Sequence, residues 1–291
     1  VALGKKLFYD PVLSGNNTQA CGSCHNQLDG FTDHQLRFST GIDGIAGTRN
    51  SMPLFNIGYA NGFFWDGGAT SLESQVVGPI TNPIEMHEDI SNCVAELQLD
   101  SVYPGLFKKA FQTDSITIAL VMKAIAQFER TLLSGNSRYD RYKAGQGSLT
   151  AQELHGLALF EDFQKGDCIH CHTLGRNFTD FSYRNNGLDS IPQDSGRAKI
   201  TLNPNDAGKF KVPSLRNIEM TAPYMHDGRF VTLQQVMDHY NTGFQNPANL
   251  DPNIRLATKG RMTQQEMDDI IAFLRTLTDQ GFLTNPAFSN N

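Results

Sequence analysis

The sequence predicts an all-α protein made of two tandem copies of one helical unit with long ordered loops. Three observations carry this. The motif Cys-x-x-Cys-His occurs twice, at Cys21 to His25 and Cys168 to His172, with Cys21 and Cys168 147 residues apart. A Gly-x-x-Leu-Phe segment precedes each copy, at Gly4 to Phe8 and at Gly156 to Phe160. A segment reading Phe-x-Arg-Thr-Leu ends each half, at Phe128 to Leu132 and at Phe273 to Leu277. The chain has 291 residues, the length of two domains of about 150.

In chain order, the apolar residues near Gly4 and Phe8 start a first helix. Ile118, Val121, Met122, Ile125 and Phe128 recur at helical spacing and predict the helix that closes the first half. Lys143 to Ser148, rich in Gly, reads as the linker, giving domains 1–145 and 146–291. Thr150 and Glu153 form a capping box that opens the second half. The stretch from Gly175 to Pro213 reads as a long ordered loop. Thr232 and Gln235 form another capping box and predict a helix from about Leu233 through Tyr240.

Composition excludes several classes. Hydrophobic residues make up 39% and charged residues 19%, a folded and not a disordered composition. No apolar run approaches the roughly 18 residues of a membrane span. The net charge of −6 argues against a nucleic-acid surface and leaves a basic protein partner possible. The sequence begins at Val1, so a leader is expected to have been removed, but no signal segment is left to read.

Four of the five cysteines belong to the two motifs, and Cys-x-x-Cys-His is the c-type haem attachment pattern. Two thiols add to the haem vinyl groups, and the adjacent imidazole binds iron from one side. A four-cysteine zinc site would bring its halves within about 15–20 residues, and a dithiol redox pair needs a βαβ context that is absent. Two covalent c-type haems are therefore expected, one per domain, on Cys21, Cys24, His25 and on Cys168, Cys171, His172. Cys93 reads as a half-buried free thiol on a helix.

The duplication also predicts where the halves differ. Trp65-Asp-Gly and Leu72 are echoed by His226-Asp-Gly and Leu233 at an offset of 161, and Arg49-Asn50 by Arg216-Asn217. At that offset Tyr240 corresponds to Pro79, which cannot bind iron. If Tyr240 binds the second iron opposite His172, the matching face of the first iron is open. Met237, on the same helical face, is the rival ligand; His239 points elsewhere and is expected as a polar group at the surface. Near the open face come Gln75 and Glu85. A carboxylate can take a proton from peroxide and return it to the leaving oxygen, and an amide can orient the peroxide.

Gly47 to Pro53, Phe64 to Gly67, Ser71 to Gln75 and Pro83 to Met86 resemble the bacterial di-haem cytochrome c peroxidases and the related MauG-type enzymes. Val212 to Asn217, Thr221 to Gly228 and Thr232 to Gln235 extend the resemblance over nearly the whole chain. It implies Glu85 as acid–base residue, Gln75 as its amide partner, His25 as proximal ligand of the peroxide-binding haem and Trp65 as an electron relay. It also implies a calcium ion held by Asn50, Thr221 and Pro223, whose oxygens suit that cation, and a place near the second haem for His226. Many peroxidases of the family carry a removable histidine where this chain has Ile42, and bind the second haem through methionine where it has Tyr240, as in the MauG type. The MauG type has a surface-directed Trp where this chain has Gly166. His34, His87 and His155 read as surface or loop histidines, and His170 lies between the attachment cysteines.

Three functions follow as expectations. The first is a peroxidase reducing hydrogen peroxide with electrons from a cytochrome c or cupredoxin. The second is a MauG-like oxidase of a partner protein, and the third a non-catalytic di-haem electron carrier. Covalent haem attachment, as known for bacterial c-type proteins, implies an exported, periplasmic bacterial protein.

Overall fold

The computed structural model describes residues 1–33, 35–175, 177–255 and 261–290, without the Arg255 side chain. It is mostly helical. The chain sorts into two compact units, and neither is continuous in sequence: Val1–Phe63, Ala69–Leu133 and Leu283–Asn291 form one, Phe64–Gly68 and Ser134–Phe282 the other. The residue 145/146 boundary read from the sequence lies inside the second unit.

The first unit contains α1 (Ala2–Tyr9), α2 (Cys21–Cys24), α3 (Leu72–Thr81), α4 (Ile90–Leu99), α5 (Tyr103–Phe111) and α6 (Ile118–Glu129). Helix α1 packs on α6, with the Phe8 and Phe128 rings 5.3 Å apart edge to face. Val121, Ile125 and Phe128 of the periodic run are buried, while Ile118 and Met122 are half-buried. Cys93, on α4, is fully buried instead of half-buried, because its helix face turns to the core.

The second unit contains α7 (Arg138–Lys143), α8 (Ala151–Glu161), α9 (Ala198–Thr201), α10 (Leu233–Asp238), α11 (Pro252–Arg255) and α12 (Gln264–Arg275); α13 (Gln280–Leu283) ends at the unit boundary. Both predicted capping boxes form: the Thr150 side chain accepts from Glu153 N, and that of Thr232 from Gln235 N. The stretch read as loop from Gly175 to Pro213 carries α9 and an antiparallel ribbon, β1 (Tyr183–Arg184) on β2 (Phe210–Lys211), with Tyr183 opposite Lys211. Tyr139, Phe160, Phe178, Ile270, Phe273 and Leu277 lie at the centre of the core.

The repeat is visible in the backbone. A Cβ on Gly4 would stand 1.8 Å from the Ala124 carbonyl oxygen, and one on Gly156 1.9 Å from that of Asp269. Both glycines let the helix that precedes the attachment motif, α1 or α8, touch the backbone of α6 or α12. Short bridges Phe63 to Ala69 and Tyr224 to Phe230 recur at the offset of 161.

One expected pairing is replaced. The structural counterpart of Asn217 is Asn56, not Asn50. Asn56 and Asn217 are both left-handed (φ 55° and 52°) and each opens a short 3-10 turn. Their amides donate to matching carbonyls, Asn56 N to Leu132 O at 2.8 Å and Asn217 N to Leu277 O at 3.2 Å. The conformation, which asparagine tolerates well, sets the equivalence, and the Arg-Asn dipeptide does not.

Candidate haem sites

In the first unit Cys21 to Cys24 form a single helical turn ahead of His25. Tyr9 lies against this turn, so closely that a Cβ on Gly22 would meet its ring at 2.4 Å. The His25 Nδ1 lies 2.8 Å from the Phe31 carbonyl. The second unit repeats this, with His172 Nδ1 3.0 Å from the Phe178 carbonyl. Phe31 and Phe178 both have positive φ, 62° and 49°, which turns their carbonyls back to the imidazoles. A carbonyl partner makes Nδ1 the donor and leaves the lone pair on Nε2, the arrangement of metal-binding histidines. Burial lowers the pKa of both rings and favours the neutral form that binds metal.

The residues present fit a c-type haem in each unit. All four motif cysteines are free thiols. Burial pushes Cys21 up to about 12 and Cys24 and Cys171 up to about 11. Among the described residues, no three His, Cys, Asp or Glu side chains assemble as a site for a bare metal ion.

Glu85 and Gln75 belong to the first unit with His25. Ser71 caps α3, which carries Gln75, and Pro79 lies inside that helix. Proline has no N–H for the Gln75 carbonyl. The side-chain Oε1 of Gln75 is buried with no hydrogen-bond partner, an exception among buried polar atoms. Glu85 follows the helix. Burial raises its pKa, against a hydrogen bond from Asn82 Nδ2 to Oε1 at 3.0 Å. Its carboxylate lies within electrostatic range of Cys24. The Glu85 carbonyl accepts from Ile42 N at 2.9 Å, and a Cβ on Gly41 would lie 2.6 Å from that same oxygen. Ile42 thus ties down the loop that carries Glu85.

In the second unit α10 ends at Asp238 and continues directly as a π turn over His239–Gly243, so the helix predicted through Tyr240 forms, with its last residues in π geometry. Tyr240 exposes 37% of its surface, yet desolvation, with smaller contributions from Cys171 and Cys168, pushes its phenol up to about 12. The phenol lies within electrostatic range of both attachment cysteines. Met237 lies instead in the apolar core with Leu233. His239, expected at the surface, is buried, and its Nε2 bonds the Asn186 carbonyl at 3.0 Å. The π turn rotates it inward.

Trp65 is buried and belongs to the second unit, with its carbonyl accepting from Lys211 N at 2.8 Å. His226 is buried and stacked on Phe210, centroids 3.6 Å apart. Asn50, buried in the first unit, donates through Nδ2 to the Leu36 and Arg37 carbonyls. Thr221 and Pro223 belong to the second unit. His87 is exposed and pairs with Asp43 at 2.6 Å, and His155 pairs with Asp269 at 2.7 Å. His170 bonds Asp167, the residue after Gly166. His34 lies outside the described residues. Sequence reasoning missed Asn186, Asn82 and the buried Lys211, since nothing local marks them.

A repeated helical unit, each copy presenting free motif thiols and an imidazole anchored through Nδ1, defines a protein of the di-haem c type. The chain belongs to the di-haem cytochrome c peroxidase family, whose model matches residues 1–148. It is 38% identical over 281 residues to the methylamine utilization protein MauG of Methylorubrum extorquens, covering 95% of this chain and 77% of that protein. It is 37% identical over 284 residues to the cytochrome c551 peroxidase of Nitrosomonas europaea, covering 95% and 79%. A crystal structure of a MauG-like protein associated with microbial copper homeostasis superposes with a TM-score of 0.91 at 35% identity, over 99% of this chain and 91% of that one. The chain is therefore an oxidoreductase with haem cofactors, and the carrier alternative is set aside. No helix among the described residues is long and apolar enough to cross a membrane.

Proposed function

We propose that the chain reduces hydrogen peroxide to water at a first haem held by Cys21, Cys24 and His25. A second haem would be held by Cys168, Cys171, His172 and Tyr240 and would supply electrons, with Trp65 as the relay residue. The observation that carries this reading is Glu85, a half-buried carboxyl with a raised pKa, acting electrostatically on the Cys24 attachment thiol.

The haem supplies the iron that binds peroxide and the electrons that reduce it. The chain's own groups move the protons. As carboxylate, Glu85 takes a proton from one peroxide oxygen; as acid, it returns it to the other, which leaves as water. Asn82 fixes one carboxylate oxygen and leaves the other to work. The Gln75 amide, with its unpartnered buried oxygen, orients the peroxide. Neither Pro79 nor Ile42 has a side chain that could bind iron. Two electrons and two further protons complete the conversion of one peroxide to two waters. Calcium on Asn50, Thr221 and Pro223, export to the periplasm, and a small cytochrome c or cupredoxin as donor belong to the same proposal and rest on the resemblance.

A second reading, oxidation of a partner protein in the MauG manner, is favoured by Tyr240, since an anionic oxygen ligand stabilises higher oxidation states. Steady-state peroxide consumption with a reduced cytochrome c or cupredoxin separates the two. Fast turnover supports the peroxidase. Feeble turnover, with a near-infrared charge-resonance band after peroxide addition to the diferric protein, supports the partner oxidase.

A further inference from the structure

Glu129, at the end of α6, exposes only 4% of its surface, and its Oε2 has no hydrogen-bond partner. The neighbouring cation does not serve it: the Arg130 guanidinium is taken by Glu73 in two bonds of 2.7 and 3.1 Å. Its position at the helix C-terminus, the negative end of the helix dipole, disfavours a further negative charge. Burial is the first cause that pushes its pKa up to about 8, with Arg130 opposing and Glu73 reinforcing. The carboxyl is therefore a neutral acid at neutral pH. It is also a neighbour of haem attachment, since Glu129 acts electrostatically on Cys21. The duplicate position in α12, read through the Phe-x-Arg-Thr-Leu segments, is Leu274, which is buried and apolar. Only the first copy has an acid there.

We propose that Glu129 is the proton site coupled to the redox state of the first haem, holding a proton when the iron is reduced and releasing it when the iron is oxidised. One electron leaves the haem for the mediator and one proton leaves the Glu129 carboxyl for water. The added positive charge on the iron stabilises the carboxylate; the matching position in the second copy, Leu274, has no titratable group. The other charged and titratable groups on the packed helices are engaged elsewhere. On α1, Lys5 bonds the Pro286 carbonyl, Lys6 pairs with Asp10, and Tyr9 donates to the Phe288 carbonyl. On α4, Cys93 lies in the fields of Glu88 and Glu96. On α3, Glu73 holds Arg130. The inference rests on haem attachment at Cys21 and not on the peroxide chemistry proposed above.

The test is a spectroelectrochemical titration of the holoprotein, without peroxide, across pH 6 to 10. The first-haem midpoint is expected to fall as pH rises, by up to tenfold in the oxidised-to-reduced ratio per pH unit, about 59 mV for one electron. Glu129→Gln and Glu129→Leu should flatten that dependence and leave the second haem unchanged, with covalent haem content confirmed by mass. Parallel traces in wild type and Glu129→Gln would overturn the proposal. A measurement on the wild type alone guards against variants that fail to fold. The infrared difference spectrum of first-haem oxidation should lose a protonated-carboxyl C=O band, and a spectrum without that loss would also overturn it. Peroxide turnover measured separately tells failure of this inference from failure of the peroxidase reading.

Discussion

Asn186 donates through Nδ2 to the Tyr240 hydroxyl oxygen at 3.2 Å. Its carbonyl at the same time accepts from His239 Nε2 at 3.0 Å. One loop residue thereby fixes two successive side chains of the π turn, and the phenol it holds lies within electrostatic range of Cys168 and Cys171.

If Tyr240 binds the second iron, Tyr240→Phe should convert that centre from low spin to high spin, read by electron paramagnetic resonance of the resting protein. Covalent haem content should stay the same. Asn186→Ala should give a mixture of the two spin states, since the phenol loses its guide but keeps its oxygen. An unchanged spectrum in Tyr240→Phe would remove Tyr240 from the coordination sphere.

Glu85→Gln should retain both haems and slow peroxide cleavage by about 10²–10⁴-fold, the usual contribution of a positioned proton-transfer group. The pH profile has a defined sign. Burial raises the Glu85 pKa above 4.5, so the active carboxylate is lost as pH falls through a value higher than that of an ordinary Glu. Asn82→Ala removes the bond that holds this pKa down and should move the acid limb further up. Stopped-flow rates from pH 4 to 8 check both.

Gln75→Leu should leave stability level or improve it by about 1 kcal/mol, because a buried oxygen without a partner is removed. Peroxide reactivity should fall by about 10-fold or more through loss of the orienting amide. Chemical denaturation and transient kinetics on one preparation test both halves.

Gly4→Ala and Gly156→Ala should each destabilise their own unit by about 1–3 kcal/mol or more, since the added Cβ meets a backbone carbonyl at 1.8 or 1.9 Å. Nothing flexible can yield at either contact. Guanidinium unfolding followed at each haem's absorbance band measures the effect.

The sequence by itself determined the features whose physics is local. The two Cys-x-x-Cys-His turns, the capping boxes at Thr150 and Thr232 and the amphipathic face of α6 were all legible over a few residues. Each depends on groups one or two turns apart in the chain. The tertiary structure alone decided what distant segments do to one another. It joined Phe64–Gly68 to the second unit, matched Asn217 with Asn56, turned His239 inward and gave Tyr240 its partner Asn186, 54 residues away. It also left Glu129 and Gln75 with buried oxygens that no neighbour meets. Burial and hydrogen-bond satisfaction are properties of the packed neighbourhood, and a linear pattern records only which residues are available to fill it.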